Sequence, residues 1–155
     1  MVRSGRISNL ERYYILQELG KIAQRIFNKN LEVRSTRENK RYNLNFIKDA
    51  LKFESDPITF TNTYWVDVGS EDGNKIAAYY EYGTGLYNTK HRIIGRDYIR
   101  PKNYDFLHFI NNDGKHIYTK AVKGVEGIHY FRRTMNTINK NEEYLIQRIR
   151  NELGI

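Results

Sequence analysis

The sequence predicts an α+β fold: an antiparallel sheet of hairpins packed against an N-terminal helix and a long C-terminal helix, with a long projecting loop hinged on glycines. Three observations carry this. Apolar residues recur at spacings of three and four near both ends of the chain. Short alternating runs, bounded by Asn, Asp and Gly, lie between them. These runs come as adjacent pairs rather than alternating with helices, which argues against a doubly wound parallel sheet. A chain of 155 residues suits one domain, residues 1–155, with a real core.

Residues 1–7 read as a flexible basic start. Ser8 with Glu11 three residues on forms a capping box. Leu10, Tyr14, Ile15, Leu19, Ile22 and Ile26 then mark an amphipathic helix to about Phe27, ended by Asn28-Lys29-Asn30. Leu31 to Ser35 reads as a short strand and Thr36 to Lys40 as loop. Leu44, Ile47 and Leu51 share one face of a helix predicted over Tyr42–Phe53, stopped by Asp56-Pro57. Ile58–Thr61 and Tyr64–Gly69 alternate around Asn62-Thr63, which predicts a hairpin. A helix is expected over Lys75–Tyr82, capped by Ser70 or Asn74. Gly83-Thr84-Gly85 breaks it and opens a polar loop over residues 83–104. Phe106–Ile110 and His116–Val122, joined through Asp113-Gly114, predict a second hairpin. Lys123 to Gly127 reads as an exposed turn. Phe131, Met135, Ile138, Leu145 and Ile149 mark a closing helix from Tyr130 to about Leu153, with Gly154 as its stop.

Composition narrows the chemistry. There is no Cys, which removes thiol catalysis, disulfides and Cys-based zinc sites. No run approaches the ~20 apolar residues of a membrane span, and the basic start lacks the features of a secretory signal. The chain is therefore expected to be soluble and made in a cytoplasm, with no membrane partner. Its 13 tyrosines suit interfaces, although Tyr standing for Phe in a small sheet explains them equally well. The net charge is +8. Between Tyr87 and Arg133 ten Lys/Arg face four Asp/Glu, and between Lys21 and Arg41 seven face two, which favours nucleic acid or an acidic protein surface.

Individual residues carry little catalytic signal. His108 and His116 fall on neighbouring strands of one hairpin, yet two histidines lack the ligands of a metal site. Glu81 is expected to meet Arg92, Arg100, Lys102 or a neighbouring subunit rather than act as a base. An enzymatic reading would place Glu81 and His91 in one cleft. Gly83-Thr84-Gly85 lacks phosphate-loop spacing and follows a helix where such loops follow a strand. No catalytic, cofactor-binding or metal residue is assigned. The loop is different: Lys90, Arg92, Arg96, Arg100 and Lys102 interleave with Tyr87 and Tyr98, a pattern that can follow a backbone and stack bases. Lys90, Arg92 and Arg96 are the candidate DNA contacts. The plainer reading is a solvated loop docking on an acidic neighbour.

Read in order, Tyr79, Glu81-Tyr82-Gly83-Thr84-Gly85, Ile99-Arg100-Pro101-Lys102, Leu107, Phe109, Gly114, Lys120, Val122, Gly127 and Phe131 form a series. It resembles the Hong Kong 97 gene-product-10-like proteins of tailed phages, minor virion components of the neck and tail-completion region. The resemblance covers most of the chain through short motifs. The family usually has a Pro beside the Phe that opens the last helix, where this chain has His129-Tyr130-Phe131. The resemblance implies a structural virion protein that joins head to tail as a ring of six or twelve copies, without cofactor or catalytic residues. It implies head-connector and tail proteins as partners, and non-specific contact with packaged DNA. The interface arm would run from Gly83 to Lys102, using Tyr79, Glu81, Tyr82, Gly83, Thr84, Gly85, Tyr87, Arg92, Arg96, Tyr98, Arg100, Pro101 and Lys102. The competing expectation is a small nucleic-acid-binding protein that reads no sequence.

Overall fold

The computed structural model describes residues 6–32, 44–85, 98–110, 113–124 and 126–155. The fold is α+β, with the N-terminal and long C-terminal helices packed together and two antiparallel hairpins. It divides into two compact units, one built from the chain up to residue 33 with 43–70 and 130–155, the other from 34–42 with 71–129.

In the first unit, helix α1 (Asn9–Leu31) starts at the capping box. Ser8 Oγ accepts from the Glu11 amide at 3.2 Å, and the Glu11 carboxylate accepts from the Ser8 amide at 2.7 Å. The helix continues one turn past Phe27 because Asn28 and Asn30 are used in tertiary bonds and do not stop it. Its inner face buries Ile15, Leu16, Leu19, Ala23, Phe27 and Leu31. Helix α3 (Tyr130–Leu153) lies against it and buries Tyr130, Thr134, Ile138 and Ile149. The Phe27 and Tyr130 rings meet edge to face at 5.4 Å, a preferred aromatic geometry. Asn30 Nδ2 donates to Thr134 Oγ1 at 3.0 Å, and that hydroxyl donates to the Tyr130 carbonyl at 2.8 Å. Gly154, at φ +70°, ends α3: its amide and that of Ile155 donate to the Asn151 and Arg150 carbonyls at 3.3 and 3.0 Å.

The segment between these helices departs from the sequence expectation. Of the helix expected over Tyr42–Phe53, the described residues 44–53 form none; a single 3-10 turn (Asn45–Ile47) is followed by strand β1 (Leu51–Asp56). Leu44, Ile47 and Leu51 are all buried, so their spacing marked a buried face without fixing the backbone. Asp49 decides it. At φ +63° it cannot sit in a helix, and Asn28 of α1 holds it there by bonds of 2.7 and 3.0 Å. Strand β2 (Thr61–Val66) pairs with β1, Leu51 opposite Val66 and Asp56 opposite Thr61. The turn is therefore residues 57–60, not Asn62-Thr63. The Asp56 carboxylate accepts from the Ile58 and Thr59 amides at 2.8 and 3.3 Å while Pro57 fixes its own φ. The bond from the Ile58 amide holds the Asp56 carboxyl below its ordinary range.

Side-chain amides fix this hairpin on α1. Gln17 Nε2 donates to Ser55 Oγ at 3.0 Å, Gln24 Nε2 to the Leu51 carbonyl at 2.9 Å, and Asn62 Nδ2 to the Leu16 carbonyl at 2.8 Å. The Phe53 ring lies directly on Gly20.

The second unit holds helix α2 (Glu71–Tyr82), which begins directly after Ser70 with Glu71 and Asp72 in its first turn, where acidic groups favour the helix dipole. Strands β3 (Leu107–Ile110) and β4 (His116–Thr119) form the second predicted hairpin, with Leu107 opposite Thr119 and His108 opposite Tyr118. It is a two-stranded ribbon, and among the described residues the two hairpins are separate sheets. Ile99 and Val122 extend the ribbon through reciprocal backbone bonds of 2.8 and 3.0 Å. No helix among the described residues is long and apolar enough to cross a membrane.

Candidate functional site

The glycine-rich turn at the end of α2 proves to be half of a backbone clasp. The last carbonyls of a helix have no partner within it. Here those of Tyr79, Tyr80 and Glu81 accept from the amides of Gly83, Ile128 and His129, at 2.8, 2.7 and 3.3 Å. Gly83 takes φ +77° and Gly85 φ +57°, as the turn reading expected. Residues 123–129 lie so close that side chains are excluded. A Cβ on Gly127 would stand 2.6 Å from the Glu81 carbonyl oxygen and 2.9 Å from the Gly83 nitrogen. One on Gly124 would overlap the Thr84 carbonyl, and one on Gly85 the Lys123 carbonyl. Lys123 to Gly127 was expected to be an exposed turn; its described residues, apart from Lys123, are instead partly covered.

Positions scattered along the sequence series thus meet. Gly83, Thr84 and Gly85 lie against Lys123, Gly124 and Gly127, and Ile99 pairs with Val122. The candidate interface residues split accordingly. Glu81 and Gly83 are buried, and Tyr82, Thr84, Gly85 and Pro101 are partly covered. Tyr79, Tyr98, Arg100 and Lys102 are exposed, with the Arg100 guanidinium 5.7 Å from the Tyr98 ring centroid. Tyr87, Lys90, His91, Arg92 and Arg96 lie outside the described residues. Sequence reasoning missed Gly124 and His129. His129 adopts φ +59°, and its Nδ1 is buried without a hydrogen-bond partner.

Two concave surfaces border this region. One, of about 550 Å³, is lined by Ile76, Tyr79, Tyr80, Thr84 and Ile99. The other, of about 800 Å³, lies along the approach to β3 and includes Arg100, Lys102, Tyr104 and Phe106. Beside it His108 and His116 are brought together, Nε2 to Nδ1 at 2.8 Å. Among the described residues no group of three or more His, Asp or Glu side chains could hold a metal ion. The Gly83 amide is already bonded to Tyr79, so the turn does not present it to a phosphate. What the arrangement offers is a close-packed backbone clasp beside an exposed ribbon: Phe109, Ile110 and Tyr118 on the ribbon, and Tyr104 and Phe106 on the approach to it, are all exposed.

Comparison with models of known families, with curated proteins and with solved structures returns no match to this chain.

Proposed function

We propose that this chain is a structural subunit of a tailed-phage virion, assembling as a ring in the neck or tail-completion region and joining head to tail. The observation that supports the reading best is the fate of the residues that carry the resemblance. Glu81, Gly83, Gly85 and Gly127 build the clasp, while Leu107, Phe109 and Gly114 shape the ribbon next to it. The clasp fixes a two-stranded ribbon whose large apolar side chains face solvent. Such a ribbon is marginally stable in water on its own, and an exposed apolar patch on a folded unit suits association. Ring subunits need this on two different surfaces, because heterologous contacts close by rotation.

Deleting the gene in the parent phage tests the proposal. Lysates should then contain filled heads and free tails in place of joined particles, with joining restored by the protein supplied in trans. Normally joined, infectious particles from the deletion would end the proposal. Native mass spectrometry of the purified chain gives a second reading, since a closed oligomer that persists at moderate salt fits contacts made by Tyr and aliphatic groups.

A further inference from the structure

We infer that the β3–β4 ribbon carries a stacking site for single-stranded nucleic acid, made by His108, His116 and Tyr118 with the groove beside them. The antiparallel register sets His108 opposite Tyr118, and the period of two puts His116 on the same face. Their rings are nearly parallel: His108 stacks with Tyr118 at 4.6 Å and 15°, and His116 lies beside His108, edge to edge in nearly the same plane, with centroids 5.1 Å apart at 4°. The bond between His108 Nε2 and His116 Nδ1, 2.8 Å long, holds both imidazoles in that plane. The outer faces of this cluster, where the rings do not cover one another, give a flat exposed π-surface on which bases stack without regard to sequence.

The surroundings supply the second half of the chemistry. His108 and Tyr118 also line the groove of about 800 Å³ that contains Arg100, Lys102, Tyr104 and Phe106. That volume lies within the ordinary range of ligand sites. Tyr104 is 82% exposed and Tyr118 66% exposed, and Lys120 stands 6.0 Å from the Phe106 ring centroid. From Tyr98 to Gly124 the sequence carries five Lys/Arg against two Asp. Basic groups beside stacked rings match a strand whose phosphates are charged and whose bases are bare. A duplex matches less well because its base faces are hidden within the stack. The site uses none of Lys90, Arg92 or Arg96, and it does not depend on ring formation, since one copy contains all of it.

The test is fluorescence anisotropy with the full chain and a labelled oligothymidylate of about twelve nucleotides, within the span such platforms cover. A duplex and an abasic strand of equal length are the comparisons. The single strand should bind best, and binding should weaken steeply with salt. Tyr118→Ala and His108→Ala should each weaken it by about tenfold, while Tyr118→Phe, which keeps the ring, should not. Lys102→Ala should lower the salt dependence. These side chains are exposed, so an unchanged melting curve certifies each variant as folded. No binding, or equal binding of the abasic strand, would overturn the inference. So would a Tyr118→Ala variant that changes the oligomeric mass and leaves oligothymidylate binding intact, because the face would then belong to a second copy of the chain. Failure here leaves the deletion phenotype untouched, and the reverse holds as well.

Discussion

The two compact units are held together by different physics. The unit of α1, α3 and the first hairpin buries Ile15, Leu16, Leu19, Phe27, Ile47, Leu51, Tyr130 and Ile138, and side-chain amides tie its elements together by bonds to other side chains and to backbone carbonyls. The unit of α2 and the ribbon is closed by the backbone clasp, with glycines where its two segments cross. Several of its large apolar side chains, Phe109, Ile110 and Tyr118 among them, stay outside. The first unit is organised to be stable and the second to present a surface. Hydrophobic burial stabilises a unit only with groups it keeps for itself, so apolar groups left outside are available to a partner.

The largest test of that contrast is Phe27→Ala. Removing a fully buried aromatic that meets Tyr130 should cost about 3–5 kcal/mol and lower the denaturant midpoint of the whole unit. A loss under about 1 kcal/mol would mean that the helix pair is not the stabilising core. Gly124→Val comes next. At φ +97°, with the Thr84 carbonyl in the way, it should cost about 2–3 kcal/mol and act locally. Hydrogen exchange should speed up at the Ile128 and His129 amides and stay slow through the middle of α1; equal acceleration everywhere would erase the distinction between the units.

Ser8→Ala should cost about 1 kcal/mol by uncapping α1, and its effect should depend on pH. The amide of Ser8, then its hydroxyl, hold the Glu11 carboxyl below its ordinary value. A depressed carboxyl stabilises the fold above the unfolded pKa of about 4.3, and that contribution is lost as pH falls through the lower folded value. Ser8→Ala removes the hydroxyl's bond to the carboxylate but keeps the amide's, so the gap between the two melting curves should narrow at low pH without closing, and a constant gap would show that the hydroxyl adds nothing through the Glu11 charge. The smallest expected change is for Ile110→Ser, within about 0.5 kcal/mol because the side chain is 58% exposed. If the ribbon is a contact surface, the same variant should lose assembly in native mass spectrometry while melting normally.

Where structure is local, the sequence was readable. The capping box, the start and stop of α3 and the β3–β4 alternation all lie within a few residues of the signals that announce them. The segment from Leu44 to Val66 was misread because its signals fit two structures. Leu44, Ile47 and Leu51 sit on a helical spacing, and the left-handed Asp49 that forbids the helix is held by Asn28, far back in α1. The clasp was hidden for a related reason. Its bonds join backbone groups of Tyr80 and Glu81 to those of Ile128 and His129, and backbone groups leave no mark on residue identity. Their trace is the set of glycines, which can be read as flexible until their neighbours are known. The ring cluster was half visible, since His108 and His116 fall on paired strands, but Tyr118 joined it only once the register was fixed.

The Phe53 ring resting on Gly20 carries a lesson for anyone wishing to harden this protein. Glycine in a helix interior is the usual first target, because alanine there improves intrinsic helix stability by about 0.5–1 kcal/mol. At Gly20 that recipe runs backwards: a methyl group would occupy the space of the ring and push the first hairpin off α1. The helix keeps a locally poor residue so that the strand behind it has a seat, and a screen guided by helix propensity alone would select against the very contact that docks the hairpin.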